Sequence, residues 1–143
     1  DWTTARLPED RPRHLLGISE PNDMFTAIEN GVDTFDCVSP SRVARNAAVY
    51  TAGGRFNVNA ASCRRNFSPI DEDCDCYTCA HYTRAYLHHL FKAREMLAST
   101  LCTIHNERFI VRLVDDIRSS IEAGTFADFK IDFLGRYYAT STS

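Results

Sequence analysis

The sequence predicts a protein of the α/β class, and three features of the chain support this prediction. A strand, a short helix and a second strand follow one another within about 25 residues, a pattern typical of a parallel βαβ unit. A glycine-rich hairpin signal comes next, and the last third of the chain carries long amphipathic helices. The length of 143 residues is that of one domain.

The first predicted elements lie within residues 14–38. Residues 14–18 (HLLGI) and 34–38 (TFDCV) are short apolar runs, which predict two buried strands. Between them, Met24, Ala27 and Ile28 repeat at helical spacing, and Gly31 ends the helix. The polar residues 1–13 contain two prolines and indicate a linker or a cut end.

Two parallel strands do not form an independent sheet, because a parallel sheet needs several neighbours and a cover on both faces. We therefore expect residues 14–46 to be the last βαβ unit of a larger sheet. A (β/α)₈ TIM barrel needs about 250 residues, so this chain can hold only the C-terminal part of one.

The rest of the chain is predicted to be a hairpin followed by helices. Residues 47–51 and 55–59 flank the turn sequence Ala-Gly-Gly, and helical stripes cover about 83–102, 106–123 and 126–138. We expect an inserted subdomain over residues 47–105, with the hairpin and a long helix, and C-terminal helices packed on the barrel over 106–139. Residues 140–143 are predicted to be a frayed end.

A cluster of cysteines is the most specific motif in the chain. Cys74, Cys76 and Cys79 form a C-x-C-x-x-C pattern, and His105 follows further along. Three thiolates and one imidazole are a tetrahedral Zn²⁺ ligand set, and four protein ligands close the coordination sphere, which makes such a site structural. His81 and Cys102 lie close enough in sequence to remain alternative ligands.

Disulfide bonds are the competing interpretation, because the six cysteines are an even number. Cys74 and Cys76 are too close to bridge each other comfortably, and no apolar signal segment is present. We expect Cys37, Cys63 and Cys102 to be small buried hydrophobic residues.

Bulk charge does not indicate nucleic-acid binding, since the net charge is −3 and the pI about 5.9. Five arginines nevertheless gather within 24 residues, either as a solvated face or as a contact surface: Arg42, Arg45, Arg55, Arg64 and Arg65. No apolar run approaches the roughly 20 residues of a membrane span. We expect a soluble protein in the reducing cytoplasm.

Three further groups are candidates for function. Asp36 lies within an apolar run, where a carboxylate either caps the next turn or reacts, for example with an anomeric carbon. Arg42 and Arg45 are three residues apart and suit phosphate or base-edge contacts. A third group has helical spacing: Tyr82, Tyr86 and His89. It predicts either a partner surface or packing on the segment that carries Cys74, Cys76 and Cys79, which we call the cysteine loop.

Taken in order, five segments resemble the tRNA-guanine transglycosylase family, the queuosine-pathway enzymes also called queuine tRNA-ribosyltransferases. They are GVDTFDCV at 31–38, SRVARN at 41–46, CDCYTC at 74–79, RAYLHHL at 84–90 and HN at 105–106. The resemblance covers about residues 12 to 139 at the family's spacing.

The resemblance implies a zinc-bearing TIM barrel that exchanges guanine at the tRNA wobble position for 7-aminomethyl-7-deazaguanine. It implies that Asp36 is the nucleophile of a covalent intermediate and that Arg42 and Arg45 hold uridines beside the target base in tRNAs with a G-U-N anticodon. It also implies one structural Zn²⁺ per chain on Cys74, Cys76, Cys79 and His105, and a homodimer interface with Tyr82, Tyr86 and His89.

The chain departs from the family pattern in one respect. The family's general acid/base aspartate, its base-recognition pocket and the earlier barrel strands have no counterpart in these residues. We therefore expect a C-terminal fragment that binds zinc but does not catalyse exchange alone. The alternative is a non-catalytic, zinc-stabilised RNA-binding module; a zinc hydrolase would need an open metal position.

Overall fold

The computed structural model describes residues 3–139, so the first two residues of the predicted linker and the predicted frayed end at 140–143 lie outside the described part. The chain divides into two compact units with the boundary between Ser39 and Pro40. The architecture is a mixed α/β one, as predicted, with one small sheet in each unit.

The first unit contains the predicted βαβ pattern. Its elements are a 3₁₀ turn (Thr4–Arg6), β1 (His14–Leu16), α1 (Pro21–Glu29) and β2 (Thr34–Asp36). β1 and β2 pair in parallel, with His14 opposite Thr34 and Leu16 opposite Asp36. Gly31 ends α1 at φ +84°, where its N–H donates to Ile28 O (2.9 Å) and the N–H of Val32 donates to Ala27 O (3.1 Å).

The expectation that these two strands are buried was wrong for this unit. Leu16 is 67% exposed and Val38 50% exposed, whereas Met24 and Phe25 of α1 are fully buried. An apolar run is buried only if a layer packs on each face of the strand. A pair of strands with one crossover helix leaves apolar side chains in contact with solvent.

The second unit consists of a hairpin and helices. Its elements are α2 (Ser39–Arg45, which begins at the unit boundary), β3 (Ala48–Thr51), β4 (Gly54–Asn57), a 3₁₀ turn (Ala61–Cys63), α3 (Tyr77–His81), α4 (Arg84–Lys92), α5 (Met96–Glu122) and α6 (Phe126–Ala139). None of the helices within residues 3–139 has the length and apolar character needed to cross a membrane.

The predicted hairpin is confirmed. β3 and β4 are antiparallel, with Thr51 opposite Gly54 across a two-residue turn. The hairpin and helices α2, α4 and α5 surround one apolar core, whose buried members are Ala44, Ala47, Val49, Val58, Ile70, Leu87, Leu90, Ala98, Leu101 and Cys102.

The helix boundaries differ from the prediction at one point. The sequence predicted one helix over 83–102 and another from 106, but the chain breaks at residues 93–95 and then continues as one 27-residue helix, α5, through 103–105. The break is a left-handed cap: Arg94 has φ +60°, and the N–H of Glu95 donates to Leu90 O at 3.0 Å. The final helix is confirmed within one residue.

Candidate functional site

The four predicted metal ligands converge at one point. The Sγ atoms of Cys74, Cys76 and Cys79 lie 3.6, 3.7 and 3.3 Å from Nδ1 of His105. A tetrahedral ion with Zn–S near 2.3 Å and Zn–N near 2.0 Å separates sulfur from nitrogen by about 3.6 Å. The four donor atoms all lie within 4.8 Å of one another, so one ion fits among them.

The orientation of the His105 ring makes it a suitable ligand. Nε2 lies 2.7 Å from the carbonyl oxygen of Tyr50, so Nε2 carries the proton and donates to that oxygen. The lone pair of Nδ1 is then free to face the three sulfurs. The ring is fully buried, and a hydrogen bond of this kind fixes the tautomer of a metal-binding histidine.

Asn106, the next residue, also bonds the backbone of β3. The sequence patterns did not single it out as a functional side chain. Its Oδ1 accepts from the N–H of Tyr50 at 3.1 Å, and its Nδ2 donates to Pro40 O and Ala48 O at 3.1 and 3.0 Å. The side chain is fully buried with these three hydrogen bonds. The position of Asn106 directly after the predicted ligand His105 was the signal that the sequence offered for this role.

The short helix α3 positions two of the thiols. Cys76 caps the helix: its Sγ accepts from the backbone N–H of Cys79 at 3.3 Å. Hydrogen bonds from the Cys74 and Cys79 thiols lower the pKa of Cys76 to about 3, and the same sharing raises the pKa of Cys79. Thr78 ties α3 to α5 by donating to Leu101 O at 2.7 Å. The cluster therefore favours a thiolate, the form that binds a metal.

Two arginines of α5 hold the cysteine loop from outside. The guanidinium of Arg108 donates to both carboxylate oxygens of Asp75 at 2.7 and 2.8 Å, and Arg112 donates to Asp73 O at 2.6 Å. The hydrogen bond from Arg108 lowers the pKa of Asp75. Sequence reasoning assigned no partner to Asp75, because the two residues of this pair lie 33 positions apart.

The alternative ligands lie outside the cluster. Among residues 3–139 the candidate metal group is the four-residue cluster and excludes Cys102 and His81. Cys102 is fully buried, and burial raises the pKa of its thiol to about 12. The His81 ring packs on Tyr77 with centroids 4.6 Å apart. All six cysteines are free thiols; Cys63 is buried as expected, while Cys37 is half-buried.

Asp36 is the last residue of β2, and it is exposed. The argument that an apolar run would bury this carboxylate was wrong for this unit, because the strand carries no cover. Arg42 and Arg45 lie in the last turn of α2, both exposed, while Ala44 between them is buried. Helical spacing of three places the two guanidinium groups on one side of α2.

The predicted aromatic group is only partly on a helix. Tyr82 precedes α4, whose N-cap is Thr83, and its ring stacks on Tyr86 with centroids 5.3 Å apart. Tyr77 extends the group: its ring lies 5.8 Å from that of Tyr82, and their hydroxyl oxygens are 3.4 Å apart. His89 is exposed on α4. The sequence missed Tyr77 because it lies within the cysteine motif.

Fold and site together define a class. It is an α/β protein whose hairpin, cysteine loop and long helix meet at a Cys₃His cluster that could hold one metal ion, with exposed arginines on a neighbouring helix. Comparisons with known proteins give the particular family. A family model described as "TGT: Queuine tRNA-ribosyltransferase" matches residues 1–139. The chain belongs to the queuine tRNA-ribosyltransferase family.

Similar proteins carry the same description. The chain is 49% identical over 138 residues to a queuine tRNA-ribosyltransferase of Caldanaerobacter subterraneus, covering 96% of the chain and 37% of that protein. It is 50% identical to that of Symbiobacterium thermophilum over 133 residues (93% and 33%) and to that of Dehalococcoides mccartyi over 139 residues (97% and 36%). The chain thus spans about a third of the length of these relatives, and matches their C-terminal portion.

Proposed function

We propose that this chain is the C-terminal part of a tRNA-guanine transglycosylase, which exchanges guanine at the tRNA wobble position for 7-aminomethyl-7-deazaguanine. The family match over residues 1–139 is the observation that carries the proposal. The name of the relatives describes ribosyl transfer on tRNA, and a Cys₃His cluster that could hold one metal ion supports the zinc site that the sequence resemblance implies.

Asp36 is the proposed nucleophile. It ends β2, and in barrel enzymes the catalytic groups stand at the carboxyl ends of the strands. Its carboxylate would attack C1′ of the ribose while the C1′–N9 bond breaks and guanine leaves with the electron pair. The deazaguanine nitrogen would then attack C1′ of the glycosyl-enzyme and release Asp36. The general acid/base is proposed to lie outside these residues.

The metal is proposed to be one structural Zn²⁺ held by Cys74, Cys76, Cys79 and His105. With four protein ligands the ion would supply a cross-link and no open position for water. Hydrogen bonds within the chain fix the elements around the ion. His105 and Asn106 are bonded to Tyr50 of β3, and Arg108 is bonded to Asp75 of the cysteine loop.

Arg42 and Arg45 are proposed to hold the uridines beside the target guanine in G-U-N anticodons. Chemistry on a base requires that it leave the stack, and anticodon loops offer unstacked bases. Exposed guanidinium groups on one side of α2 suit contacts to phosphate and base edges. A tRNA-modifying role also supports the proposed cytoplasmic location.

The exposed apolar residues of the first unit support a barrel. Leu16 and Val38 would be covered by further strands, which makes residues 14–46 the last βαβ unit, 47–105 the zinc subdomain and 106–139 the helices that pack on the barrel. The stacked Tyr82 and Tyr86, with His89, are proposed to face a second copy in a homodimer.

The decisive experiment uses a full-length protein that contains this segment. Incubation with a G-U-N tRNA followed by denaturing electrophoresis should trap a covalent RNA adduct, and Asp36→Asn should abolish the adduct and the exchange of labelled guanine. Asp23→Asn, at another exposed carboxylate of the first unit, is the matched control and should retain both. An adduct that survives Asp36→Asn would remove Asp36 from the mechanism.

The 143 residues alone are expected to bind one zinc ion and to exchange no guanine. Guanine exchange by this chain in isolation would contradict that part of the proposal. RNA binding by the full-length protein without any adduct or exchange would instead favour the alternative, a non-catalytic zinc-stabilised RNA-binding module.

A further inference from the structure

A groove lined mainly by basic residues lies on the second unit, and none of the predicted metal ligands lines it. We call it the cationic groove. Its volume is about 470 Å³, and its lining residues are Arg64, Ala85, His88, His89 and Lys92. Four of these five residues carry basic side chains and none is acidic, although the chain as a whole has a net charge of −3.

Helical spacing builds this groove. Ala85, His88, His89 and Lys92 follow one another at i, i+3, i+4 and i+7 on α4, so they share one face. Ala85 is small and leaves room between its longer neighbours. Arg64 follows the 3₁₀ turn Ala61–Cys63 and lines the same groove.

His88 gives the groove a fixed wall. Its ring is 7% exposed, and its Nδ1 lies 2.9 Å from Val58 O, to which it donates a hydrogen bond. The exposed side chains of Arg64, His89 and Lys92 therefore surround this fixed wall.

Two groups of basic residues in the second unit differ in their partners. One group is occupied within the fold, with carbonyl or carboxylate partners: Arg84, Arg108, Arg112, Arg118 and Arg136. Within the described residues 3–139, the side chains of Arg42, Arg45 and Arg64 make no hydrogen bond or ion pair, and neither do those of His89 and Lys92. The side chains of the first group are bonded within the chain, whereas those of the second group can bind a partner.

We propose that Arg64 and Lys92 of the cationic groove bind backbone phosphates of the RNA substrate, at a position separate from Arg42 and Arg45, while His89 belongs to the proposed dimer surface; this inference rests on the proposed function. Unpaired cations around a concave surface attract a polyanion, and phosphate contacts set the position of a nucleic acid without reading its sequence. Arg42 and Arg45 would select the anticodon loop, while the groove would add affinity that is independent of sequence.

The test measures binding of fluorescently labelled tRNA to the zinc-loaded chain by anisotropy over a series of salt concentrations. The double variant Arg64→Gln/Lys92→Gln removes two groove charges and spares His89, which belongs to the proposed dimer surface. The matched control, Arg118→Gln/Arg136→Gln, removes two charges that already have acidic partners. Zinc content and circular dichroism verify the fold of each variant.

The groove variant should weaken binding about tenfold and reduce the slope of log K against log salt by about 2, equally for tRNAs of any anticodon. The control should match the wild type. Lys92→Gln alone should reduce the slope by about 1, which keeps the test valid if the double variant folds poorly.

Other outcomes would overturn the inference. Unchanged RNA binding by the groove variant would remove the groove from the RNA interface, and unchanged RNA binding with altered self-association would assign it to a second copy. Failure of the proposed function is measured separately, because a full-length protein that contains this segment would then form no Asp36-dependent RNA adduct and exchange no guanine, whatever the salt dependence of tRNA binding.

Discussion

At the scale of single residues, two neighbouring side chains of α5 complete the hairpin. Ala48 and Tyr50 of β3 stand opposite Asn57 and Arg55, and the outer backbone groups of β3 are paired by α5. His105 donates to Tyr50 O, while Asn106 accepts from Tyr50 N–H and donates to Ala48 O. A strand edge that lacks a neighbouring strand is satisfied here by two side chains of one helix.

Replacing Asn106 by alanine should therefore be costly. The change leaves the buried N–H of Tyr50 and the carbonyls of Pro40 and Ala48 without this partner, and we expect a loss of about 3 kcal/mol in the free energy of unfolding. Urea unfolding of the zinc-loaded chain measures it. Asn46→Ala, at an exposed asparagine, should cost less than about 1 kcal/mol. Equal losses at the two positions would show that the edge contacts contribute little.

At the scale of elements, the junction between α4 and α5 orients the metal site. α4 ends at Lys92, the chain turns through Arg94, and α5 then runs without interruption past His105 and Arg108. Because α5 is continuous, His105, Asn106 and Arg108 are rigidly spaced along one helix. The hairpin and the cysteine loop are both fastened to that helix.

Arg94 permits a test of this junction. A residue with a Cβ at φ +60° costs about 1 kcal/mol or more relative to glycine. We expect Arg94→Gly to be more stable than Arg94→Ala by about 1 kcal/mol in thermal or urea unfolding. Both variants lose the same side chain, so their difference isolates the backbone conformation. A more stable alanine variant would mean that the left-handed cap is not maintained in solution.

The sequence predicted the elements whose signals are local. Gly53 in the turn and Gly54 directly after it marked the hairpin, and the thiol spacing marked the predicted metal ligands, because each signal lies within a few residues. The α4–α5 break was missed because Arg94 is neither glycine nor proline. The partners of Asn106 and Asp75 were missed because they lie 56 to 66 and 33 positions away in the chain, and pattern reasoning carries no information on such pairs.

At the scale of the whole molecule, the cluster of candidate metal ligands joins three segments of the second unit that are distant in sequence. Cys74, Cys76 and Cys79 come from the loop and α3, while His105 comes from α5 and reaches β3 through Tyr50. The apolar core of this unit is small, so a cross-link at this point contributes much of its stability.

Metal removal should therefore lower the stability of the folded chain as a whole, and not only disturb the local structure at the cluster. We expect a strong chelator to lower the melting temperature, followed by circular dichroism, by about 15 °C, and added zinc to restore it. Two alanine variants make the test specific to the ligand set. Cys79→Ala should melt at the lower temperature with or without chelator, because the metal needs four ligands. Cys102→Ala, three residues before His105, should keep one zinc per chain and respond to chelator as the wild type does. Loss of the metal from the Cys102 variant, or its retention by the Cys79 variant, would show that the ion is held by a different set of ligands.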